Sequence, residues 1–147
     1  MSALALWAAN ALWPAAAIVA RLKAQVPDLR QVLAIDQLDG DATAPKQVPA
    51  ALVIPDALQP EGSDPLRPRT QVRATCLVVL VVRGARPDPN RNTSELGGLI
   101  PQVVKALQGW VPEGQNAAFT WQPAPKPSYG RDHSYFPLAF VIETIAG

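Results

Sequence analysis

The side chains able to do chemistry are few and scattered along this chain of 147 residues. His133 is the only histidine, and it stands between Asp132 and Ser134. An acid, a base and a hydroxyl thus occur in a row, but a catalytic triad draws its members from separate elements that converge in space. A metal site on His133 would need spaced partners, and the adjacent Asp132 is badly placed for joint coordination. His133 therefore reads as a solvated loop residue with no catalytic role. Cys76 is the single cysteine, which excludes an intramolecular disulfide framework and any multi-cysteine zinc site. Set beside Leu77-Val78-Val79-Leu80, it reads as a buried, inert thiol.

Other candidate sites fail on spacing. Gly97-Gly98 matches neither phosphate-binding glycine pattern. Asp39 and Asp41 lie in a hydrophilic turn around Gly40 and lack the remaining ligands of a calcium loop. No catalytic residue, metal or cofactor is expected. Charge gives one further lead. Residues 28 to 64 hold seven acids against Arg30 and Lys46, whereas residues 67 to 91 hold six arginines against Asp88. Nucleic-acid binding would want stacking aromatics or a reading helix with those cations, and no aromatic residue occurs between Trp13 and Trp110. The arginines fit the solvent face and ends of a strand better. The two stretches could also meet, between adjacent copies or within one chain.

Length and composition set the frame for these residues. A single domain over residues 1–147 is expected, and 48% apolar against 17% charged residues suffices for a core. The net charge of +1 carries no general bias toward nucleic acid. The first twelve residues are apolar, but no positive charge precedes them, and Asn10 and Pro14 interrupt the run. A cytoplasmic protein without a membrane span is expected, with residues 1–12 forming an arm or a helix extension.

A helix is expected from Trp13, with Pro14 in its first turn, Ile18, Val19, Leu22 and Val26 at helical spacing, and Pro27 as the stop. Two short strands follow, Gln31 to Ile35 and Ala50 to Ile54, and then a proline-rich loop from Pro55 to Pro68. Arg69 to Arg83 is the strongest strand. Its even positions (Val72 to Val82) form one apolar face, while its odd positions change from polar at Gln71, Arg73 and Thr75 to apolar at Leu77, Val79 and Val81. After a loop from Gly84 to Arg91, Asn92 can cap a helix. That helix carries Leu96, Leu99, Ile100, Val103, Val104 and Leu107 on one face, weakened early by Gly97, Gly98 and Pro101 and stopped at Gly109. Strands at Ala117 to Gln122 and Tyr135 to Ile145 close the chain. The fold class is α+β: a mixed, mainly antiparallel sheet of about four to five strands with two helices packed on one face.

The order and spacing of these segments resemble the tail terminator family of tailed phages and prophages, the group with the Mu-like and lambda-like terminators. The resemblance rests on Pro14-Ala15-Ala16-Ala17-Ile18-Val19-Ala20-Arg21-Leu22, on Val48-Pro49-Ala50-Ala51-Leu52-Val53-Ile54-Pro55, and on the strand ending Val81-Val82-Arg83. It continues through Ala106-Leu107-Gln108-Gly109-Trp110-Val111-Pro112, Pro127-Ser128-Tyr129-Gly130 and Tyr135-Phe136-Pro137-Leu138-Ala139-Phe140. It implies a non-enzymatic virion tail protein, present in the host cytoplasm during assembly. Such a protein forms a homo-oligomeric ring, usually a hexamer, on the tail tube protein, stops tube polymerisation and offers a surface to the head–tail connector protein. No membrane and no sequence-specific nucleic acid is implied as a partner. The candidate subunit-interface residues are Arg73, Arg83, Arg86, Trp110, Tyr129 and Tyr135. The rival readings are another connector or tube subunit and, in a different class, a small nucleic-acid-binding module using the arginine stretch.

Overall fold

Asn10 sets the first corner of the chain. In the computed structural model, which describes residues 2–35, 45–66, 68–84, 92–130 and 132–147, the Ser2 hydroxyl accepts the Ala5 N–H at 3.2 Å and caps helix α1 (Ala3–Ala9). Asn10 leaves helical geometry, and its side-chain oxygen accepts the Leu12 N–H at 2.9 Å. That local bond competes with helix continuation. Helix α2 (Trp13–Gln25) then starts with Pro14 in its first turn, bent 100° from α1. Residues 1–12 are thus neither a free arm nor a straight extension in their described part. Leu6 packs on the core, and Leu4 lies close to Gly147 at the far end of the chain. Among the described residues no single helix is long and apolar enough to cross a membrane.

The sheet has the order β1-β2-β3-β6-β4, with β5 also paired to β6. Strand β1 (Gln31–Ala34) runs parallel to β2 (Ala50–Asp64). Strands β3 (Arg69–Arg83), β4 (Thr120–Gln122), β5 (Ser128–Tyr129) and β6 (His133–Ala146) make only antiparallel pairs. The architecture is α+β with a mixed, mostly antiparallel sheet, as expected. Its sixth strand is the two-residue β5 inside the proline-rich loop, and its third helix is α1.

One expectation needs correction. The segment Pro55–Pro68 is not a loop, because β2 continues to Asp64 in register with Arg69 of β3. Beyond Val53, β2 has no partner on its outer side among the described residues, since β1 pairs only with Ala50 to Val53. An edge strand tolerates prolines, and the two register shifts fall at Pro55/Ala57 and Pro60/Gly62. The expected strand at Ala117–Gln122 is reduced to Thr120–Gln122. Phe119 instead bonds back to the end of the preceding helix. The turn around Asp39 to Asp41 and most of the Gly84–Arg91 loop lie outside the described residues.

The even face of β3 carries the core. Val78, Leu80 and Val82 are fully buried with Ile18 and Leu22 of α2, Val103 and Leu107 of helix α3 (Asn92–Leu107), and Phe140 of β6. Helix α3 is continuous from Asn92 despite Pro101 inside it. An internal proline costs about 3 kcal/mol. Leu96, Leu99, Val103 and Leu107 are all buried, each worth about 1.5–3 kcal/mol, so packing wins. The helix stops where expected, with Gly109 at φ 77°, a left-handed position suited to glycine.

Candidate assembly surface

His133 is not a loop residue. It opens β6 opposite Arg83, half-buried, and its neighbours close the end of the sheet. The Ser134 hydroxyl donates to the Gly84 carbonyl at 2.5 Å, and the Gly84 N–H donates to the Asp132 carbonyl at 2.9 Å. Asp132, His133 and Ser134 therefore serve backbone closure, and no group of three or more His, Cys, Asp or Glu could hold a metal among the described residues. Cys76 is buried as expected, and burial, with the charge of Asp56 second, pushes its thiol up to about 12. It stays protonated at neutral pH and is a poor nucleophile.

The odd face of the sheet is divided along its length. At one end, Ala50, Leu52 and Val81 are buried with Leu33, Val48, Val79 and Tyr135 packed on them. At the other, Arg73 stands opposite Glu143 on β6 and Gln59 on β2. Burial raises the Glu143 pKa, as do a hydrogen bond to Glu61 and the Glu61 charge, while Arg73 opposes them. A raised value means that the Glu143 carboxyl keeps its proton to higher pH. The folded state thus holds that proton more tightly than the unfolded chain. The stability it contributes is complete below the ordinary glutamate range and is lost as pH rises through the raised value. In urea unfolding between pH 4 and 8, Glu143→Gln should flatten this loss and be the more stable protein at the upper end. Identical pH profiles for the two proteins would contradict the assignment.

The six interface candidates fall in different places. Arg83 is exposed, and Tyr129, 47% exposed, lies on the hairpin that pairs with β6 at Ser134 and Tyr135. Arg83, Tyr129 and Tyr135 are therefore brought to one end of the sheet, because β3 and β6 pair Val81 with Tyr135 and Arg83 with His133. Arg73 sits ten residues from Arg83 along β3, roughly 33 Å away. Trp110 packs within its own chain, its ring stacked on Phe119 at 5.6 Å with the Arg21 guanidinium 4.9 Å from its centroid. Arg86 lies outside the described residues. The acidic and basic stretches lie side by side within one chain where β2 pairs with β3.

The comparison that decides the family covers nearly the whole of this architecture. A sequence model described as "Phage tail terminator protein" matches residues 8–147, from α1 through the end of β6. The chain belongs to the phage tail terminator family. No individually curated protein matches it significantly. As a tail terminator family member it is a structural phage tail protein, and the surfaces to consider are those that meet other chains.

Two features of this terminator's surface bear on contact with other chains. The described helices lie on the even face, where α2 and α3 line the core and Leu6 of α1 packs beside them. The odd face, continuing through Ile54, Leu77 and Pro137, has no described helix over it. Large apolar side chains are also exposed at Leu12, Leu58, Leu66 and Trp121. The alternation of β3 signals the first feature, whereas nothing in the local sequence separates Leu66 from any other turn residue.

Proposed function

We propose that this protein forms a closed ring on the end of the tail tube, halts tube polymerisation and presents its other face for head joining. The observation that carries the reading is a one-sided sheet in a tail terminator family member: helices cover one face, and the other keeps an apolar half without a described helix. Ile54, Leu77, Val79 and Pro137 are half-buried there around the buried Ala50, Leu52 and Val81, and an apolar rim of that kind suits contact with another chain. Arg83 and Tyr135 border it at one end and supply the polar and aromatic groups common at interfaces, and Tyr129 lies at the same end of the sheet. The mechanism is geometric. A ring covers the elongation surface of the tube and offers a different surface on its far side, and no bond is made or broken.

A nucleic-acid-binding module is the less favoured reading. Arg73 faces the Glu61–Glu143 pair, roughly a strand's length from Arg83, so the described arginines do not form one basic patch. Mass by light scattering across a wide concentration range, with negative-stain images of the same sample, tests the ring. Closed rings of uniform diameter, alone or on tube ends, are expected. Open filaments or tubes of this protein alone would identify a tube subunit instead.

A further inference from the structure

Leu66 is 91% exposed at the turn joining β2 to β3. Pro65 precedes it and Pro68 follows two residues on, limiting the backbone freedom of the turn. The base of the turn is braced, since the Pro68 carbonyl lies so close to Gly147 that a β-carbon there would not fit, and Leu4 of α1 is also close by. One exposed leucine is ordinary on a protein surface. What distinguishes this one is a receptor of matching chemistry elsewhere on the molecule. The corner between α1 and α2 and the first register shift of β2 enclose an open cleft of about 210 Å³, walled by Leu12, Pro14, Pro55, Ala57, Leu58 and Ala74. Leu12 and Leu58 are 44% and 38% exposed. An apolar cavity of about 150 Å³ holds a benzene-sized group, so this cleft has room for an isobutyl side chain.

We infer that Leu66 of one copy seats in the Leu12–Leu58 cleft of the next. The contact rests on the ring reading and gives that ring its subunit joint. Charge agrees with the pairing: exposed Arg69 follows the tip, and exposed Asp56 lies at the cleft rim. Such a rim pair adds little affinity but fixes orientation. Geometry excludes self-insertion. Pro65 is eight residues beyond Ala57 along the hairpin, so tip and cleft lie about 25 Å apart in one chain. Joining two different surfaces makes a head-to-tail contact, the kind that closes into rings when the rotation allows.

Leu66→Ser tests the contact without touching the core. Below the assembly concentration it should leave the thermal unfolding midpoint unchanged, and it should raise the concentration for half-assembly by on the order of tenfold or more. In a Cys76→Ala background, Leu66→Cys with Leu58→Cys should give, on mild oxidation, a ladder of covalent multimers ending at the ring number. A disulfide needs Cα atoms within about 7 Å, so a bond between these positions must join two chains. Where the wild-type protein forms rings, equally stable rings of the Leu66→Ser variant, or no ladder from the double-cysteine protein, would overturn the joint and leave the ring reading standing. A wild-type protein that forms no ring, alone or on tube ends, would remove both.

Discussion

Phe119→Ala is expected to lower the unfolding free energy by about 3–5 kcal/mol, the range for deleting a fully buried phenylalanine. Phe119 has no exposed surface and is among the largest fully buried side chains among the described residues. It stacks on Trp110, and its backbone joins the end of α3 to β4: its N–H donates to the Trp110 carbonyl at 3.0 Å, and its carbonyl accepts the Gly109 N–H at 2.9 Å. Removing the ring therefore leaves a cavity where a helix end, a turn and a strand meet. Against a total of about 5–15 kcal/mol for a typical folded protein, that loss is large. Phe119→Leu, which keeps much of the volume, should cost far less. Chemical denaturation of both variants checks this, and a loss below about 1 kcal/mol for Phe119→Ala would contradict the packing.

Arg21→Ala is expected to cost about 2 kcal/mol through a different cause. The Arg21 Nε–H donates to the Ala106 carbonyl at 3.0 Å, in the last turn of α3 where carbonyls lack helical partners. A cation there also meets the negative end of the helix dipole. The same guanidinium lies over the Trp110 ring. One side chain thus ties α2 to the end of α3 by a charge-assisted hydrogen bond and a cation–π contact. Arg21→Lys keeps the charge but not the planar, bonded stack, so it should recover only part of the loss. The double variant with Trp110→Ala should be non-additive by about 0.5 kcal/mol or more. Strict additivity would show that the ring and the guanidinium act independently.

How much was legible in the sequence depended on how local the cause was. Helix α2, strand β3 and the stripe of α3 were readable because burial imposes a period on each, and Pro14, Pro27 and Gly109 mark their ends. Strand β2 does not read as a strand past Ile54, because Pro55 and Pro60 signal a loop wherever the strand's neighbours are unknown. The absence of a described outer partner and the two register shifts make those prolines acceptable. The separation of α1 from α2 turns on one hydrogen bond from Leu12 to Asn10, which alanine-rich composition does not announce. At the candidate surface, Tyr129 and Tyr135 were identifiable as aromatics near prolines, and the antiparallel register then placed Arg83 near them. The proximity of Arg73 to Glu143 could not be read, since it depends on register across seventy residues. The stacking of half-buried Trp110 on Phe119 under the Arg21 guanidinium could not be read either, because Arg21 comes from a helix near the other terminus.

The most direct test of the terminator reading is the length distribution of tail tubes assembled from the tube protein while this protein is added in rising, substoichiometric amounts. Capping predicts that mean tube length falls as the added protein increases, with density for it confined to tube ends. Unchanged tube lengths, or density distributed along the tube wall, would contradict it.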